Sequence, residues 1–125
     1  MLRLLIESWL QLAYIDFAMR FRSFGALDSL IRNQDLCAAD PLTQKSAEEL
    51  CHAIDLACVC YFKPVLCLQR SAATAVLLRR YGWSATMVIG AQIVPFKSHA
   101  WCELENRVIN DKPYMREKYA VLEEY

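Results

Sequence analysis

Four prolines and three glycines punctuate this chain of 125 residues, and where they fall decides where regular structure can run. Residues 3 to 22 contain neither, which predicts one long helix from about Arg3 to Arg22. Apolar residues nearly encircle it, so burial on more than one side is expected. Gly25 follows, and a short helix is expected through Leu27, Leu30 and Ile31. Asn33 to Thr43 reads as a loop, marked by Asp35, Asp40 and Pro41. Ser46-Ala47-Glu48-Glu49 fits a capping box, in which serine and glutamate satisfy free N–H groups at a helix start. That helix should pass through Leu50, Ile54, Leu56 and Ala57 and stop near Phe62, because Pro64 cannot continue it and disfavours helical geometry at Lys63. A further helix should open near Cys67 and run to about Tyr81, with Gly82 as its stop. Arg79 and Arg80 suit its last turn, and Ala72, Ala73 and Ala75 would let it approach a sheet closely. Trp83 to Val94 reads as a strand ended by Pro95. His99–Glu103 and Arg107–Asn110 read as a hairpin. The charged tail from Pro113 is expected to add a short helix or trail off.

The pattern implies an α+β domain over residues 1–125, with a helical region (1–62) and a core of helix and antiparallel strands (63–125). Hydrophobic residues make up 56% of the chain, and 14 basic residues balance 14 acidic ones. No basic stripe is visible, which argues against a nucleic-acid partner. Arg3, Glu7, Gln11 and Asp16 interrupt the apolar start, so no run reaches the roughly 20 apolar residues of a spanning helix. No small-residue cleavage site follows it, and a cytoplasmic location is expected. Without a secretion signal, Cys37, Cys51, Cys58, Cys60, Cys67 and Cys102 read as thiols rather than a disulfide framework. Cys58-x-Cys60 is not a metal-binding CxxC pair, and His52 and His99 stand apart. No metal or other cofactor is expected.

Cys67 follows Pro64-Val65-Leu66 and opens a helix. A thiol there faces unpaired backbone N–H groups and the positive end of the dipole, both of which favour thiolate. A buried structural cysteine is the alternative. His99 alone would also read as structural, but an aspartate follows twelve residues later across the expected hairpin. A three-residue loop, Leu104-Glu105-Asn106, closing on a left-handed asparagine, pairs Glu103 with Arg107, Trp101 with Ile109 and His99 with Asp111. All three are favourable cross-strand pairs. A two-residue loop would set His99 opposite Lys112 and turn Asp111 to the other face. The first register is the expectation. Asp111 would then orient the imidazole of His99, which would deprotonate Cys67 for attack on an amide carbonyl. The Cys67 N–H is a candidate oxyanion donor. Arg70, one turn on, could contact substrate or form a structural ion pair. Trp101, on the His99 face, could shield the His–Asp pair or simply pack.

A nucleophile on a helix followed by His and Asp on strands resembles the papain and transglutaminase architecture. The local motifs are closer still. Cys67-Leu68-Gln69-Arg70-Ser71, Leu77-Leu78-Arg79-Arg80-Tyr81-Gly82, Val88-Ile89-Gly90, Pro95-Phe96, His99-Ala100-Trp101-Cys102-Glu103 and Val108-Ile109-Asn110-Asp111 resemble, in order and spacing, the leader peptidases of lasso-peptide biosynthesis. The likeness covers residues 64 to 112. It implies a transglutaminase-like cysteine protease that frees a core peptide from its leader, with Cys67, His99 and Asp111 as triad. Its implied partners are the precursor peptide, a separate small leader-binding protein and an asparagine-synthetase-like cyclase. The leader-binding protein is expected to be separate because the residues before Cys67 read as helices, with no β-rich module among them. Cys102 stands where the family often has valine, Glu105-Asn106 where it has Asp-Gly, and Ala72 where it has leucine. Other uses of the same triad, such as amide-forming acyl transfer, or a non-catalytic scaffold, are the alternatives.

Overall fold

The computed structural model describes residues 2–21 and 46–125. The short helix expected after Gly25, the loop to Thr43 and Cys37 lie outside the described residues. Helix α1 spans Leu2–Phe21. Leu4, Ser8, Leu12, Ile15 and Ala18 form its buried stripe, at the spacing of a single helix face. The Ser8 hydroxyl donates to the Leu4 carbonyl at 2.8 Å, so the one polar residue in the stripe is satisfied. Leu2, Ile6, Leu10, Tyr14 and Phe17 are each half or more exposed. Among the described residues, the expected burial on more than one side is therefore replaced by one buried stripe.

Helix α2, Ala47–Cys60, starts where Ser46 caps it, the hydroxyl accepting from the Glu49 N–H at 3.1 Å. It ends before Tyr61, whose backbone is extended. Helix α3 spans Cys67–Arg80. Its C-terminus closes on Gly82, at φ 92°. The Gly82 N–H bonds Arg79 O, and the Trp83 N–H bonds Leu78 O. This double closure needs a left-handed residue, and glycine supplies it without a side-chain penalty.

The sheet follows. Strands β1 (Ala85–Gln92), β2 (Lys97–Leu104) and β3 (Arg107–Val108) precede a four-residue helix, α4 (Met115–Lys118), and strand β4 (Ala120–Glu124). The order is β3-β2-β1-β4, with every pairing antiparallel. One face, through Ala85, Met87 and Cys102, packs with α1, α2 and α3 in the main core. Ala72, Ala73 and Ala75 of α3 are fully buried there, as their size predicts for a close helix–sheet approach. The other face carries Val88 and Trp101, which pack with Met115 and Tyr119 in a smaller core. Period-two alternation along β1 and β2 thus divides the two cores. Among the described residues, no helix is long and apolar enough to cross a membrane.

One expectation fails here and another is met only in part. The β2–β3 loop has two residues, not three: Leu104 pairs with Arg107 and Glu103 with Val108. Glu105 and Asn106 both have positive φ, 52° and 63°, as a type I′ turn requires. That turn matches the right-handed twist of the flanking strands, and this match outweighs the cost of a left-handed glutamate. The tail forms the expected short helix, α4, but then ends in a strand, which was not expected. All five β4 residues are exposed, so no hydrophobic alternation marks it. Its pairing with β1 comes from backbone bonds, extended by Tyr125, which exchanges both with Met87 at 2.8 and 3.3 Å.

Candidate active site

The revised register should have separated His99 from Asp111, yet their side chains are bonded, Nε2 to Oδ2. The resolution lies in β3, which stops at Val108. The Ile109 N–H still reaches Cys102 O at 3.0 Å. The chain then bends through residues 109–111, and strict alternation no longer governs where Asp111 points. The Asn110 side chain takes over the sheet's edge bond, accepting from the Cys102 N–H at 2.7 Å. Its amide donates to Ser71 Oγ at 3.1 Å, and the Ser71 hydroxyl donates to Ala100 O at 3.1 Å. Asn110 thus locks the bend, one residue before Asp111, to helix α3.

Helix α3 runs antiparallel to β1 and is pinned at two points. Arg79 Nε donates to Ala85 O at 2.8 Å, and Ser71 reaches Ala100, which pairs with Ile89. Eight helical residues advance about 12 Å and four strand residues about 13 Å, so the two anchors agree. Four more helical residues, about 6 Å, carry the helix to Cys67. That is the level of the Ala91–Ser98 pair, next to His99. Cys67 and Ser71 share a helix face. Cys67 is the first residue of α3 and is half-buried. Leu66, which precedes it, makes no side-chain cap, because leucine has no acceptor atom. The first-turn N–H groups are therefore left without the usual side-chain partner.

Asp111 is partly buried. Burial pushes its carboxyl up, but the bonds from His99 and the Lys112 N–H, with the charge of Arg70, outweigh this and hold it below the usual aspartate range. The stability this contributes is present above the unfolded pKa of about 3.9 and is lost as pH falls through the lowered folded value. With Nε2 taken up by Asp111, Nδ1 is the ring nitrogen left to exchange a proton with a neighbour.

Arg70 bonds Asp55 from Nε at 3.0 Å and from Nη2 at 2.8 Å, so the structural ion pair is formed. Its charge also acts on Asp111. Trp101 is fully buried, with its ring centroid 6.2 Å from that of His99. Its indole N–H donates to Glu103 at 2.8 Å. Glu103 is gripped by Arg116 through both carboxylate oxygens, at 2.7 and 2.9 Å. Tyr119, which sequence reasoning missed, stacks closer to His99, at 5.4 Å. Nothing in a charged tail marks that tyrosine as a site residue. Gly90 pairs with His99, and the aromatic cluster accounts for it. A Cβ there would lie 2.8 Å from Trp101 Cη2 and 2.8 Å from Tyr119 Cβ. Gly90→Ala should cost about 1–3 kcal/mol through overpacking. It should also disturb the near-UV circular dichroism of the aromatic rings, and a urea melt superimposable on the parent's would contradict this.

Three of the other described thiols, Cys51, Cys58 and Cys102, are held in the thiol form by burial, and Cys60 is exposed at the end of α2. Burial, with Asp55 adding to it, pushes Cys51 up to about 11. Burial raises Cys58 as well. Cys102 is fully enclosed in the main core, and burial raises it further. Among the described residues, no group of three or more His, Cys, Asp or Glu could hold a metal ion.

A sequence model of the Transglutaminase-like superfamily matches residues 11–124. The microcin J25-processing protein McjB of Escherichia coli is 43% identical over 58 residues, a stretch covering 46% of this chain and 28% of that protein. The match thus spans less than a third of that relative's length. No solved structure matches the chain significantly. A cysteine-bearing helix against a small antiparallel sheet, and a family match across nearly the whole chain, lead to one assignment: this protein belongs to the transglutaminase-like superfamily.

Proposed function

We propose that this protein is a cysteine peptidase that removes the leader from a ribosomally made lasso-peptide precursor. The observation that carries the reading is the bonded His99–Asp111 pair; Cys67 opens α3, and the rise per residue of helix and strand sets it at about the level of that pair. In this reading Asp111 holds the imidazole, and His99 takes the thiol proton through Nδ1. Cys67 attacks the carbonyl at the leader–core junction, and His99 then protonates the leaving amine. The core peptide departs with a free N-terminal amine, and water releases the leader from its thioester. The likeness to a microcin J25-processing protein supports the choice of substrate class. Exposed apolar residues in the segment before α3, Phe62 and Leu66, and in the β1–β2 tip, Ile93, Val94 and Phe96, offer contacts for an extended peptide.

This peptidase works with a separate leader-binding protein, and an asparagine-synthetase-like cyclase takes up the freed core. A partner holding the leader makes capture of the cleavage site intramolecular, at an effective concentration on the order of mM. Cleavage assays that vary purified chain, precursor and leader-binding protein independently test the reading. The partner should raise the rate at micromolar precursor about tenfold or more. Full rate without it would refute the division of labour, and no cleavage under any combination would refute the peptidase.

A further inference from the structure

One carboxylate in the C-terminal half of α1 collects three donors, two from the connector that leads into α3 and one from the first turn of α3. Asp16 Oδ2 accepts from the Tyr61 hydroxyl at 3.1 Å. Its Oδ1 accepts from Gln69 Nε2 at 2.5 Å and pairs with Lys63 Nζ at 2.9 Å. Tyr61 directly follows α2, Lys63 precedes Pro64, and Gln69 lies in the first turn of α3. Cys67 stands between the second and third of these anchors. Burial pushes the Asp16 carboxyl up, but the bonds from Lys63, Tyr61 and Gln69 prevail and keep it below the usual aspartate range.

A carboxylate only accepts, so Asp16 dictates which way the Gln69 amide faces. Its NH₂ must point at Asp16, which leaves Oε1 for the Leu66 N–H, bonded at 3.0 Å. Leu66 directly precedes Cys67 and cannot cap the helix itself. We propose that Asp16 is a positioning residue for the nucleophile: by orienting Gln69 it fixes the first turn of α3, and with it the N–H groups that face the Cys67 thiol. The inference rests on the reading of Cys67 as the nucleophile. With asparagine at position 16, the amide of Gln69 is free to turn over and release Leu66. A glutamate at 69 opposite that asparagine restores the pattern, accepting from both the Leu66 N–H and the new side-chain NH₂.

The test is the rate of Cys67 alkylation by iodoacetamide, mapped by mass spectrometry, with N-acetylcysteine in the same tube as reference. A residue that only adds stability shifts the urea midpoint and leaves this rate alone in folded protein. Asp16→Asn should slow Cys67 labelling about threefold or more, because a disordered first turn stabilises thiolate less. The exchange Asp16→Asn with Gln69→Glu should return it to within about twofold of the parent. Should Asp16→Asn fail to fold, Gln69→Met carries the test, with the same slowing expected. Parent-like labelling in whichever single variant folds, or an exchange variant folded but as slow as Asp16→Asn, overturns the proposal. Slowed labelling and rescue in a protein that cleaves no precursor would uphold the positioning role and sink the peptidase reading instead.

Discussion

Cys67→Ala should abolish precursor cleavage and leave a cooperatively folded protein. The covalent route needs a nucleophile, and α3 does not depend on the thiol: the side chain is half-buried at the helix start, outside the two buried cores. Alanine is also the best helix former for the vacated position. The matched control is Cys102→Ala. That thiol is fully buried against the helices, and removing it trims a small core group, which should lower the urea midpoint while sparing turnover in the folded fraction. Cleavage is followed by mass spectrometry of the precursor, and folding by circular dichroism. Equal inactivation of two folded variants would show that the wrong cysteine has been assigned.

Asp111→Asn should cut turnover by at least about tenfold, with about 10⁴-fold, the cost of the equivalent change in a serine protease, as the upper bound. The carboxylate can only accept, so it fixes Nε2 of His99 as the protonated nitrogen and leaves Nδ1 as the acceptor. Asparagine can present its amide N–H to Nε2 instead and stabilise the opposite tautomer. A cysteine enzyme loses less than a serine enzyme where its thiolate is already partly formed. The loss should fall on kcat, because Asp111 is turned to His99 rather than to solvent-held peptide. Turnover within about twofold of the parent would remove Asp111 from the mechanism.

The elements that proved legible are those where one local rule acts alone. Pro64 and Gly82 bracket α3, and Ser46 opens α2, because capping and helix breaking are decided within a few residues. Cys67, His99 and Asp111 could be chosen for their chemistry, and the fold brings His99 and Asp111 into contact. The cross-strand register expected to pair them is nonetheless not the one the chain adopts. The turn has two residues, and the strand ends early enough for the chain to bend Asp111 back. Nothing local announces that bend, since its lock is Asn110 bonding to Ser71, thirty-nine positions away. The same holds for Asp16, whose partners lie forty-five and fifty-three positions on, and for Tyr119 against His99. Strand β4 was hidden because its residues are exposed and carry no alternation. What escaped the sequence is the set of side chains that position the site from distant elements, and these are contacts that only the tertiary fold creates.

Acid quenching of the protein a few turnovers into its reaction with the precursor and leader-binding protein, followed by intact-mass measurement and peptide mapping, interrogates the covalent step itself. An acyl-enzyme adds the mass of the free leader less one water, carried as a thioester on Cys67, with at least one core peptide released for each adduct. This adduct is expected in the parent, should build up more slowly in Asp111→Asn and should be absent from Cys67→Ala. Cleavage at full rate with no adduct at any time point, or an adduct on another cysteine, would contradict the account.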